Sequence, residues 1–214
     1  MLKIKSFEFS PIQENTYILY NEFNECIIID PGCYFDEEKE ALAEFIDENA
    51  LTPKWLINTH CHLDHVFGNK FVAEKYSLKL HLHEKEVQVL QFAPTSALMY
   101  NMPFDNYNGE FVFLKEGDTL KLGDDELKIL LTPGHSPASL SFYSAKDKFV
   151  ISGDVLFQQS IGRTDLPGGN FEVLMKSIKT QLFPLPDDTV VYSGHGAPTT
   201  IGHEKKYNPY CKVA

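Results

Sequence analysis

The stretch NTHCHLDHVFG, Asn58 to Gly68, constrains this chain more than any other. His60, His62, Asp64 and His65 crowd four metal-capable side chains into six positions, in a chain with 8 histidines among 214 residues. The residues KWLINTH, Lys54 to His60, read as a buried strand running into this stretch. A strand sends alternate side chains the same way, so His60, His62 and Asp64 are expected to project together, with Cys61 and Leu63 pointing away. His65 follows where the chain should turn into a helix. Nitrogen and carboxylate donors converging at a strand end suit a divalent metal ion.

Four donors from one segment exceed what a single ion with an open position uses, so further donors are expected elsewhere. LLTPGHSPAS places His135 after a strand and a Pro-Gly turn, KFVISGDVLF places Asp154 after a strand and a glycine, and VVYSGHGAP does the same for His195. Any one of them alone reads equally well as a polar residue capping a strand. Three strand–hinge–donor segments beside the first motif form one coherent set.

Short β-branched runs alternate with helical patterns along the chain. ECIIID reads as a buried strand. DEEKEALAEFIDENA predicts a helix with Ala41, Phe45 and Ile46 on one face and acidic residues in its first turn. Helices are expected near Gly68–Tyr76 and His83–Phe92, a strand over Leu78–Leu82, and a long loop over Ala93–Gly109. The second half is strand-rich: FVFLK, DTLKL, ELKILLTP, SLSFYS and KFVISGD. A helix near Phe171–Phe183, the strand TVVYSGH and a short basic helix complete it. Both halves run strands, then helix, then a strand ending in Asp or His, which hints at two similar sheet layers with helices outside. No linker rich in Pro, Gly or Ser divides the chain, so residues 1–214 are expected to form one domain.

Composition excludes several classes. A formal net charge of −11 argues against nucleic acid as partner, since phosphate binding depends on clustered Lys and Arg. It leaves room for an anionic small-molecule substrate, because a bound cation reverses the local field. No run approaches the roughly 18 apolar residues that span a bilayer, and MLKIKSFEFS lacks the apolar core of a signal peptide and reads as a first strand. Cys26, Cys33, Cys61 and Cys211 show neither a CxxC pair nor disulfide-scaffold density, as befits reduced thiols in a cytoplasmic protein. Nothing in the sequence bears on oligomeric state.

THCHLDH, GHSPAS, SGD and SGHG, in this order and over nearly the whole chain, resemble the metallo-β-lactamase superfamily. SIGRTDLPGG and GHGAPTTIGHEKKYNPY are similar to its short bacterial branch related to type II glyoxalases, the hydroxyacylglutathione hydrolases. The resemblance implies an α/β fold, a four-layer αββα sandwich with the metal site at the sheet edges. It implies two divalent ions: His60, His62 and His135 holding the first, Asp64, His65 and His195 the second, and Asp154 bridging them. The donor set suits zinc and also accepts iron or manganese. β-Lactamases of the superfamily commonly place a cysteine in the second site, where this chain has Asp154. Type II glyoxalases carry a C-terminal helical domain for glutathione, and this sequence is expected to lack it.

Two adjacent cations lower the pKa of a bridging water from 15.7 to roughly 7, supplying hydroxide without a Ser, Cys or Lys nucleophile. They also polarise a carbonyl and stabilise the oxyanion. Asp64 can orient the attacking hydroxide. Thioesters are the expected target, because a thiolate with a thiol pKa near 8.5 leaves readily. The competing class is a mononuclear-iron persulfide dioxygenase, which shares the HxHxDH and GRTD segments and would use His60, His135 and Asp154. Asp30, in IIIDPG, either supports a ligand histidine or begins a turn. Arg163 either meets an anionic substrate or pairs with Asp165. His81 and His83 are expected to be ordinary surface or core residues, and His203 to be solvated.

Overall fold

Two six-stranded mixed sheets organise residues 1–211, which the structure, a computed structural model, describes. The chain divides into two compact units, and each sheet lies mainly in one of them. The first unit takes in Met1–Leu114 together with Lys121–Asp125. Its sheet runs β1 (Lys3–Phe9), β2 (Glu14–Tyr20), β3 (Glu25–Ile29), β4 (Thr52–Ile57), β5 (Leu80–Leu82) and β6 (Phe111–Phe113) in sequence order. The first two pairings are antiparallel and the last three parallel. Parallel neighbours need crossovers, and helices supply them: α1 (Asp36–Glu48) before β4, α2 (Leu63–Val66) and α3 (Asn69–Tyr76) before β5, and α4 (Val87–Met99) before β6. The run Cys26–Ile29 in β3 has no exposed surface on either face, which is why it reads as continuous hydrophobicity.

The start of α1 is set by Glu38, whose carboxylate accepts from the backbone of Ser10, Tyr34 and Phe35 at 2.7, 2.7 and 3.0 Å. The helix buries Leu42, Ala43 and Ile46. The expected face of Ala41, Phe45 and Ile46 is thus turned by about one residue. Phe45 lies at the margin, edge-on to Phe7 and Tyr20. Each fully buried aliphatic side chain of this face contributes about 1.5–3 kcal/mol.

The long loop expected over Ala93–Gly109 is helical from Ala93 to Met99. α4 continues to Met99 with Pro94 inside it. Proline has no N–H for the carbonyl four residues back, which ordinarily breaks a helix. Here the Leu90 carbonyl receives the Asn106 side-chain amide instead, at 2.7 Å. FVFLK also departs from expectation, since its core is β6 of the first sheet, parallel to β5.

The second unit holds Lys115–Leu120 and the chain from Glu126 on. The second sheet, of which Lys121, Leu122 and Asp125 are counted with the first unit, has the strands β7 (Thr119–Leu122), β8 (Asp125–Leu131), β9 (Leu140–Ser144), β10 (Phe149–Gly153), β13 (Val190–Ser193) and β14 (Thr199–Thr200), in the order β14-β13-β10-β9-β8-β7. A small hairpin, β11 (Leu156–Phe157) with β12 (Ser160–Ile161), follows β10. α5 (Phe171–Ser177) continues as a π-helical turn to Leu182, and α6 (Ile201–Tyr207) follows β14. Val150, Val155, Leu156, Leu174, Ile178 and Val191 make the centre of its core. Among the described residues, no helix is long and apolar enough to cross a membrane.

The Pro94 arrangement is testable by a double-mutant cycle in urea. Asn106→Ala should cost about 1–2 kcal/mol by orphaning the Leu90 carbonyl. In a Pro94→Ala background, where a backbone N–H can take over, that cost should fall by at least half.

Candidate metal centre

In the first unit β4 ends at Ile57, so residues 58–62 are not strand and the expected alternation does not place the histidines. His62 is extended (φ −64°, ψ 154°) and leads straight into α2, whose first turn carries Asp64 and His65. Loop and helix together converge the side chains: the His60 ring lies 4.1 Å from that of His65 and 4.7 Å from that of His62. Three buried amide contacts hold the loop. The Asn58 amide donates to the His65 carbonyl at 3.0 Å and accepts from Asn69 at 2.7 Å, while the Cys61 N–H donates to Glu86 at 3.0 Å. Cys61 does point away, and burial, with the Glu86 and Asp30 charges, pushes its thiol well up.

Asp30 supports the histidines, as the first of its two readings had it. It takes a left-handed conformation (φ +49°) that turns its carboxylate across the end of β4. That carboxylate accepts from the Thr59 N–H (2.7 Å), the Thr59 hydroxyl (2.6 Å) and Asn58 Nδ2 (3.3 Å), and faces His65 Nδ1 at 3.1 Å. Since the Thr59 hydroxyl donates to Asp30, it accepts from His60 Nδ1, 3.0 Å away. Both imidazoles are thereby held as Nδ1–H tautomers with Nε2 directed elsewhere. Asp30, His60 and His65 offer donor atoms within 4.8 Å of one another. The Asp30 oxygens are already engaged, so it anchors the imidazoles and does not itself present as a ligand. Glu14, which nothing in the sequence singles out, lies behind this group. It is fully buried, its Oε1 is 3.8 Å from His65 Nδ1, and burial pushes its carboxyl up against the opposing pull of His65.

In the second unit Gly134 (φ +127°) occupies a backbone region closed to other residues, and a Cβ there would strike the Leu174 backbone. This hinge presents His135, whose Nδ1 lies 2.8 Å from the Arg163 carbonyl and must therefore donate to it. His135 Nε2 then sits 3.4 Å from Asp154 Oδ2, and His195 Nε2 sits 3.6 Å from the same oxygen. Asp154 is aimed by a register shift between Ile151 and Gly153 against β13, a bulge at the strand end. His195 is held by Ser193, whose hydroxyl donates to the His195 carbonyl at 2.8 Å.

The two units share one chemical motif. His65 Nε2 lies 3.6 Å from Asp64 Oδ2, matching the separations at Asp154. An imidazole whose Nδ1 is the donor offers a lone pair at Nε2. A lone pair facing a carboxylate oxygen is repulsive unless a proton or a metal ion lies between them. A nitrogen and oxygen donor set of this kind fits divalent ions.

The remaining candidates resolve simply. The Arg163 guanidinium makes a bidentate pair with Asp165 at 2.8 and 2.7 Å and holds that exposed carboxyl down to about 2. His81 is buried edge-on to Trp55, with Nδ1 3.1 Å from the Leu56 carbonyl. His83 accepts from the Lys85 N–H ahead of a short 3₁₀ turn. His203 is half-buried against Tyr207, not freely solvated.

Asp30→Ala should strand four buried donors. We expect a loss of about 3–5 kcal/mol in urea unfolding of the chelated protein, with Asp30→Asn intermediate. A loss below about 1 kcal/mol would show that the carboxylate does not organise this loop.

Residues 10–195 match the family described as the metallo-beta-lactamase superfamily. A Bacillus subtilis relative, the probable metallo-hydrolase YqgX, is 38% identical over 98% of this chain and 97% of its own length. The Haemophilus influenzae hydroxyacylglutathione hydrolase GloC is 36% identical over 98% of each. Among solved structures, the BLEG-1 B3 metallo-β-lactamase superposes with a TM-score of 0.90 at 40% identity, over 99% of this chain and 100% of that one. TTHA1623 in a di-iron-bound form gives 0.86 at 34% identity over 96% and 99%. ETHE1 from Myxococcus xanthus gives 0.77 at 27% identity over 97% and 83%. This chain therefore belongs to the metallo-β-lactamase superfamily and has its fold.

Proposed function

We propose that this protein is a binuclear metal-dependent hydrolase acting on small thioesters of the hydroxyacylglutathione type. The observation that carries the reading is the repeated pairing of an oriented imidazole Nε2 with a carboxylate oxygen, at His65–Asp64 and around Asp154. His60, His62 and His135 are assigned to one ion, Asp64, His65 and His195 to the other, and Asp154 to both. Two divalent ions held there would lower the pKa of a water to about 7 and polarise an acyl carbonyl.

The chain's own residues do the rest. Asp30 and Thr59 hold His65 and His60 in one tautomer each, and the Arg163 carbonyl does so for His135. Asp64 and Asp154 would offset the charge of the ions, and Asp64 is assigned the orientation of an attacking water. A thiolate leaving group needs no strong proton donor. The likeness to GloC, a hydroxyacylglutathione hydrolase aligned over 98% of its own length, favours glutathione thioesters in particular. Zinc suits the donors, and the di-iron form of TTHA1623 makes iron the first alternative. The partner is a small molecule. The four buried cysteines, none of them in a disulfide, support a reducing, cytoplasmic setting.

The likeness to ETHE1 favours a second reading, a mononuclear-iron persulfide dioxygenase. Metal analysis separates the two, with about two ions per chain expected for the hydrolase and one iron for the dioxygenase. Asp154→Ala should lower kcat by about a thousandfold or more, equivalent to ~4 kcal/mol. His65→Ala should be at least about tenfold milder. Equal losses at matched metal content would remove the bridging role from Asp154.

A panel of S-lactoylglutathione, simpler thioesters, a lactone, a phosphodiester, a β-lactam and a persulfide, run on zinc, iron and manganese forms, tests the substrate. Thioesters should turn over fastest. Inert thioesters beside an active persulfide that consumes oxygen would sink the hydrolase reading.

A further inference from the structure

The segment TTIGHEKKYNPY follows His195 and has no part in the chemistry above, yet it carries a wholly buried carboxylate. Glu204, on α6, is 0% exposed. Its Oε1 accepts from the Thr199 hydroxyl at 2.5 Å, and its Oε2 accepts from the backbone N–H of Gln159 at 2.9 Å and from Asn208 Nδ2 at 2.8 Å. The second hydrogen of the Asn208 amide donates to the Ser160 carbonyl at 2.9 Å, and Asn208 Oδ1 accepts from the Tyr210 N–H at 3.0 Å. A buried carboxylate is costly unless such donors surround it. Here two of the groups it and Asn208 engage are neighbours, Gln159 in a short turn and Ser160 just after it.

That turn is the tip of the β11–β12 hairpin, whose strands have two residues each. A hairpin so short does not hold its own geometry in water, and Gln159 sits in the left-handed region (φ +54°). The hairpin begins two residues after Asp154 and ends two residues before Arg163. Its base is pressed close: a Cβ on Gly162 would run into the Asp154 carbonyl and meet His135 Nδ1. The Arg163 carbonyl just beyond is the atom that orients His135, at 2.8 Å.

We infer that the carboxyl-terminal segment is a clamp that positions His135, with Glu204 and Asn208 as positioning residues acting through the hairpin and the Arg163 carbonyl. They touch neither substrate nor reacting atoms. The consequence for metal binding rests on His135 being a ligand, as proposed above. The effect on the His135 ring does not.

The test uses the full-length chain, chelated and ¹⁵N-labelled at histidine, at a pH above the ordinary imidazole range. Long-range nitrogen–proton spectra read the tautomer, and the His135 signal is assigned by its loss in His135→Gln. The native protein should show His135 protonated at Nδ1 alone. Asn208→Ala and Glu204→Gln should each give a mixture of tautomers, and on adding zinc both should bind it about tenfold or more weakly by competition with a chelating dye. A merely structural role would lower the thermal midpoint and leave both the tautomer and the zinc affinity native, which overturns the clamp. Asn208→Ala keeps the test open if Glu204→Gln does not fold. A tautomer mixture in a protein that binds no zinc would uphold the clamp and defeat the metal reading.

Discussion

The carboxylate of Asp30 is the constraint on which the histidine loop of the first unit depends. It is 1% exposed and takes three hydrogen bonds from Thr59 and Asn58 besides facing His65. A buried carboxylate so thoroughly engaged is an electrostatic anchor, because every donor around it would be stranded by its loss. It joins the end of β3 to the loop after β4 and to the first turn of α2. Through the Thr59 hydroxyl it reaches His60 as well. One side chain thus settles the orientation of two imidazoles that would otherwise rotate or exchange tautomers.

The second unit reaches the same chemical end with different parts. His135 is oriented by a backbone carbonyl and not by a carboxylate. An amide oxygen is the weaker acceptor, so less negative charge is passed to the ring than at His65. The carbonyl is only as well placed as the hairpin that carries it, which explains why a buried Glu–Asn pair far along the chain bears on a histidine. Asp154 gains its aim from a bulge in β10 and His195 from the strand end of β13, two rigid elements side by side. Sites built on strands hold their geometry more tightly than sites on free loops.

The chain's own nucleophiles are poorly suited to attack. Burial pushes the Cys26 and Cys33 thiols up to about 12 and the Cys211 thiol to about 11, and Cys61, inside the histidine loop, is raised as well. A thiol held protonated near neutral pH is a poor nucleophile towards a carbonyl. Activated water, the nucleophile in the function proposed above, needs none of these thiols.

By itself the sequence marked the candidate donors, the family and most elements. His60, His62, Asp64, His65, His135, Asp154 and His195 stand out because histidine is scarce and because each later donor follows an apolar run and a small hinge. Strands such as Cys26–Ile29 and Val190–Ser193 declare themselves through burial on both faces or β-branched runs. Tertiary structure decided what local pattern cannot encode. The histidines converge through a loop and a four-residue helix, not by strand alternation, because β4 ends at Ile57. A proline sits inside α4 because an asparagine twelve residues on supplies the missing donor. Asp30 proved an anchor, Arg163 acts through its carbonyl, and Glu14 and Glu204 are buried carboxylates with no sequence signature. In each case the deciding partner lies far along the chain. A lone acidic residue looks the same whether solvent or a ring of backbone donors awaits it, and only the fold brings those donors to it.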